Sequence, residues 1–147
     1  MQALGDRPLA SSNFLVEIGG ASGRAPGTGF AEVAFAPFAF DAPGPALGGD
    51  GLVGVGTTPA AGRLVLRRGA TGALDLYHWW DLARQGKAPR RRVVKVKLLA
   101  DDRSTVAMTW RFSNVRPLRL SYSPLDAMAG GVLMETLELA FDDVEMS

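Results

Sequence analysis

The chain has 147 residues, no cysteine, a single histidine and a net charge of +1 with acids and bases interspersed. That length can bury a core without metal or disulfide staples, so it reads as one domain over residues 1–147. The composition excludes a disulfide framework, thiolate metal sites, a cysteine nucleophile and paired-histidine chemistry, and it provides no basic footprint for nucleic acid.

In chain order, Phe14, Val16 and Ile18 alternate with Leu15 and Glu17. This is the period of a half-buried strand, running from about Asn13 to the Gly19-Gly20 stop. A second strand is expected over 29–35. Phe35, Phe38 and Phe40 then gather around Pro37, which argues for an edge strand or a bulge. From Asp41 to Ala61 the chain is mostly Gly, Pro and Ala, with Asp41 and Asp50 its charges. Such a segment buries too little apolar surface to offset its own ordering, so we expect a loop or long hairpin ordered by a neighbouring copy.

Leu64 and Leu66 face one way and Arg63, Val65 and Arg67 the other, a third strand closed by Gly69 and Gly72. A helix is predicted from about Ala73 to Gln85, with Leu76, Trp79, Trp80 and Ala83 on one stripe. Asp75 in its first turn and Arg84 in its last complement the helix dipole, and Gly86 followed by Pro89 ends it. Val94, Val96 and Leu98 oppose Lys95 and Lys97, and Val106, Met108, Trp110 and Phe112 oppose Thr105, Ala107, Thr109 and Arg111. These two strands form a hairpin across the turn residues 101–104, whose short polar side chains bond nearby amides. Beyond Asn114 and Pro117 a separate short strand is expected over 118–122, a turn over 124–131, and a last strand from Val132 to about Phe141 whose apolar face Glu135 interrupts. The sum is a mainly β sandwich or barrel with one packed helix.

Candidates for chemistry are few. His78 reads as an exposed helix residue rather than a general base. The pairs Asp101-Asp102 and Asp142-Asp143 read as turns or strand ends, because neighbours on a strand point to opposite faces. Gly27-Thr28-Gly29 and Gly54-Val55-Gly56 do not complete a nucleotide-binding loop. Arg90-Arg91-Arg92 reads as the solvated start of a strand. Trp79 and Trp80, a conceivable stacking platform, sit at helical spacing with Leu76 and so read as packing. No catalytic, cofactor-binding or metal-ligating residue is expected.

The order of motifs resembles the tail-tube proteins of contractile phage tails and of phage-derived contractile injection systems. Arg67-Arg68-Gly69-Ala70-Thr71-Gly72 with Asp75-Leu76-Tyr77-His78-Trp79 is similar to the family's strand end and helix start, and Gly86 through Arg91 to its next strand start. Trp110-Arg111-Phe112-Ser113-Asn114 with Pro117, and Glu135-Thr136-Leu137-Glu138-Leu139-Ala140, look like its later strands. Asn13 through Ile18 and Gly29 through Val33 look like its opening strands. The departure is Ala36 to Ala61, where only Pro59 remains of the family's Leu-Pro-Gly-x-x-Lys-Tyr pattern.

The resemblance implies a β-barrel-like protomer forming hexameric rings, stacked into a tube inside a sheath, with sheath and baseplate proteins as partners and cargo in the lumen. A specialised ring at the baseplate or tip, or a monomeric β-barrel binding a small ligand near Tyr77, Trp79 and Trp80, are the alternatives. The packing or assembly candidates are Leu76, Trp79, Trp80, Phe38, Phe40, Trp110 and Phe112. Asp6, Arg7 and Pro8 stand where a secretory signal would have its apolar core, and no run approaches the roughly 18 apolar residues of a membrane span. Synthesis in a bacterial cytoplasm without a signal peptide is therefore expected, as is incorporation into a phage tail or injection particle.

Overall fold

A computed structural model describes residues 8–19, 29–39, 62–87 and 92–147. Along the chain they form β1 (Phe14–Ile18), β2 (Glu32–Phe35), β3 (Gly62–Gly69), α1 (Asp75–Arg84), β4 (Arg92–Leu99), β5 (Val106–Tyr122), β6 (Met134–Phe141) and β7 (Asp143–Met146). The expected mainly β fold with one helix is the observed one. All pairings are antiparallel and the strand order is β1-β4-β5-β6-β3-β2, with β7 against the first part of β5. The barrel is not closed: among the described residues β1 pairs with β4 alone and β2 with β3 alone.

The expected break after Asn114 is absent. One 17-residue strand, β5, runs through both suspected breakers. Its first part pairs with β4 and β7, its second part with β6, so it passes from one half of the sheet to the other. Asn114 provides the bend, with φ of 54°, a conformation its short polar side chain tolerates. Pro117 is accommodated because the β4 ladder has already ended at Val115, so no bond on that side needs its missing N–H. Asp142 interrupts the final strand in the same region, which divides it into β6 and a β7 that periodicity did not foretell.

Bent in this way, the sheet encloses a core of Val16 and Ile18 from β1, Leu64 and Leu66 from β3, Val94 and Val96 from β4, Phe112 and Val115 from β5, and Leu137, Leu139 and Phe141 from β6. The alternation read from sequence is visible in the burial of β3, β4 and β6. The turn between β4 and β5 is held by Asp102, whose carboxylate accepts from the backbone N–H groups of Ser104 and Thr105 and from the Thr105 hydroxyl. Those bonds, the Thr105 hydroxyl first, lower the Asp102 carboxyl to a pKa of about 2.

Candidate functional site

The helix lies against β5 and adds Leu76 and Trp79 to the core that the bent sheet encloses. Of the two adjacent tryptophans, Trp79 is the buried one, 1% exposed, while Trp80 is half-buried on the flank of the stripe. The Arg92 guanidinium lies over the Trp79 ring at 4.6 Å from its centroid, and that of Arg84 over Trp80 at 5.5 Å. Arg92 is thus half-buried in a stacking contact rather than part of a solvated strand start. Burial lowers its pKa, partly countered by the Asp75 charge.

Beneath the helix N-terminus is a polar cluster that sequence reading missed. Arg68, on the inner face of β3, donates from Nε to Glu135 of β6 at 2.8 Å and from its terminal nitrogens to Asp75 of α1 at 2.6 and 3.2 Å. The Tyr122 hydroxyl donates to the other Glu135 oxygen at 2.6 Å. The one position that seemed to spoil the apolar face of the last strand is therefore a buried, bridged carboxylate. Burial raises the Asp75 carboxyl, but the Arg68 hydrogen bonds and charge outweigh it and hold the group below its ordinary range. Burial also opposes the charge on Arg68, whose bonds to Asp75 and Glu135 prevail and raise its pKa. Tyr122 is pushed up to about 12 by burial and then by the neighbouring Glu135. The cluster joins the ends of β3, β5 and β6 to the helix; its carboxylates and guanidinium are mutually bonded, an arrangement that fixes a backbone rather than one that attacks a substrate.

At the other end of the same inner face, toward Phe14 and Leu98, the sheet is open. Phe35 of β2 stacks toward Trp110 at 5.1 Å and Phe112 at 6.0 Å, and Phe38 meets Phe35, Phe112 and Phe141 edge-on at 6.1 to 6.3 Å. These rings, with Phe112 against Phe141 at 4.7 Å, hold β2 over the far half of the sheet. Between β1 and β2 remains a cleft of 380 Å³, walled by Leu9, Phe14, Val33, Phe35, Leu98 and Trp110. The seven assembly candidates thus divide: Leu76 and Trp79 are interior, Phe112 is core, Trp80 is half-buried, Trp110 lines the cleft and Phe38 is exposed at the base of β2. Phe40, and the Asp41 to Ala61 segment with it, lie outside the described residues. Among the described residues there is no group of three or more histidines or acidic side chains that could hold a metal, and no helix long and apolar enough to cross a membrane.

The profile of the T4-like virus tail tube protein gp19 family matches residues 10–145. The chain belongs to that tail tube family. Among solved structures, this tail tube protein superposes on a chain of the PVC sheath–tube complex of an extracellular contractile injection system in its extended state, with a TM-score of 0.76 at 22% identity, covering 98% of this chain and 94% of that one. It is similar also to a chain of the anti-feeding prophage tube-terminating cap, at a TM-score of 0.75 and 20% identity over 97% and 92% of the two chains. Hcp1 from Flavobacterium johnsoniae has the same fold at a TM-score of 0.55 and 17% identity, over 90% and 94%. At these identities the likeness is one of fold. Among curated protein sequences none matches the chain.

Proposed function

We propose that this tail tube protein is a structural subunit of the inner tube of a contractile injection system or phage tail, assembling into closed, six-fold rings that stack around a lumen through which cargo passes. It acts without catalysis and as a single domain over 1–147, with sheath and baseplate proteins as its partners. One observation carries the reading: among the described residues, no strand pairs with the outer edges of β1 and β2. An exposed strand edge presents a row of unpaired N–H and C=O groups, a template for pairing with another chain. Phe14–Ile18 and Glu32–Phe35 contain neither lysine nor proline, and both ladders run without a register shift. Edges of this kind persist when another copy pairs with them, and a head-to-tail pairing that closes on itself leaves no free edge.

A second reading, a specialised ring at the baseplate, tip or tube end, is supported by the departure of residues 36–61 from the family pattern and by the likeness to the anti-feeding prophage cap. Electron microscopy of the purified protein with light scattering tests both. Long tubes favour the shaft subunit and single rings that cap at one layer favour the specialised one. A species that stays at 15.6 kDa at all concentrations overturns the assembly reading.

A further inference from the structure

The loop between β5 and β6 is ordered by its own bonds yet turns its apolar side chains outward. The Asp126 carboxylate accepts from the Met128 N–H and the Asp126 carbonyl from the Ala129 N–H, while the Ser123 hydroxyl accepts from the Met134 N–H. The one charge of the loop is thus folded back onto its backbone, an Asx-type turn. Leu125 is left 86% exposed, Met128 93% and Val132 73%. A lone exposed apolar residue is ordinary, but three within eight positions on a fixed loop form a patch that needs a partner.

The described residues contain a second unpartnered apolar feature, the cleft between β1 and β2, and it shares no residue with the loop. Its volume of 380 Å³ lies within the range of pockets that enclose a ligand. Its carboxylate, Glu32, lies 3.9 Å from Arg67. Neither surface would therefore bring an unpartnered charge into the contact, the condition under which two patches associate without a large desolvation cost. A protruding patch and a receptive cleft on one chain are the two halves of a head-to-tail contact, in which every copy both donates and receives.

We propose that the β5–β6 loop of one copy seats Leu125, Met128 and Val132 in the β1–β2 cleft of the next copy. The inference rests on the assembly reading above and specifies which surfaces make the contact. It gives the cleft a job that the helix performs at the other end of the same inner face: an apolar plug, supplied here by a neighbour.

The absence of cysteine allows a direct test. A variant carrying Met128→Cys and Leu98→Cys is treated, once assembled, with a short bismaleimide and run on a denaturing gel. The expected result is a ladder extending beyond the dimer, with neither single variant passing the dimer. Rings seen by microscopy without a ladder, or a crosslink confined to one chain, overturn the inference while leaving the assembly reading standing. If the parent protein forms no rings, the assembly reading fails and this contact with it. A second variant guards against a folding defect in the first. Leu125→Asp with Met128→Asp alters only exposed positions, so it should melt as the parent does and require at least a ten-fold higher concentration to assemble. Assembly at the parental concentration would overturn the proposal.

Discussion

Replacing Trp79 with alanine should unfold the protomer far more readily than replacing its neighbour, and the structure sets the size of the gap. Trp79 is buried in the core cluster beside Leu76, with the Arg92 guanidinium on its face. Truncating a fully buried large aromatic costs about 3–5 kcal/mol, combining lost transfer free energy with the cavity left behind. Removing the stacked cation adds about 0.5–2 kcal/mol. Against this, the indole N–H has no acceptor among the described residues, so its removal returns about 1 kcal/mol of desolvation. The net loss is about 3–5 kcal/mol. With a urea dependence of about 2 kcal/mol per molar, the midpoint should fall by roughly 2 M. Trp80, half-buried and flanked by Arg84, should cost about 1–2 kcal/mol on the same change. The assay is equilibrium urea unfolding by circular dichroism at a concentration where light scattering shows protomers. A midpoint for Trp79→Ala equal to or above that of Trp80→Ala would refute the assignment of Trp79 as the residue that seals the helix to the sheet.

The polar cluster yields two pH predictions of opposite sign. Asp75 has a lowered folded pKa, so its contribution is present above the unfolded value near 3.8 and is lost as pH falls below it; Asp75→Asn should flatten that part of the acid limb of a stability curve. Tyr122 has a raised folded pKa of about 12, so its contribution is present below about 10 and fades as pH rises toward 12; Tyr122→Phe should remove that alkaline loss, read from melting temperatures in the two ranges. Glu135→Ala leaves Arg68 in a largely buried site without its strand partner and should cost about 3–5 kcal/mol in urea unfolding, whereas Arg68→Met with Glu135→Leu should recover most of that loss. Gly62→Ala would place a Cβ 2.1 Å from the Phe141 ring, which is itself held against Phe112, and should destabilise by about 1–3 kcal/mol in the same assay.

Period-two alternation identified β1, β3, β4 and β6 because each buries one face in a core that the chain itself builds. The helix was marked by local chemistry: Asp75, Arg84 and Gly86 lie where first-turn, last-turn and stop signals belong, and Gly86 has the positive φ such a stop uses. Its span came out shorter by about two residues at the start and one at the end, since Leu74 is the N-cap, its carbonyl accepting from the His78 N–H while its own φ of −106° and ψ of 12° lie outside the helix. Where the reading failed, a local signal met a distant partner. Asn114 and Pro117 look like breakers in any window, and only the end of the β4 ladder makes them compatible with one bent strand. Glu135 looks like a flaw on an apolar face until Arg68, 67 residues away, is placed beside it. Both failures are products of topology, which no window of a dozen residues contains.

The same distinction explains why packing residues were legible and the proposed assembly surfaces were not. Periodicity reports that Phe14 and Trp110 lie on apolar strand faces, but whether the space they face is filled by the same chain or by another is decided by which strands lie at the ends of the sheet. Along the main path of the sheet those strands are β1 and β2, with β7 a further edge against β5, and the helix packs on β5. The helix closes the inner face at the end marked by Arg68 and Arg92. The other end of that face is, among the described residues, an apolar cleft beside two strand edges with no strand paired to them, an arrangement that water disfavours and that a second copy, presenting the same surfaces, can relieve at every position of the proposed ring.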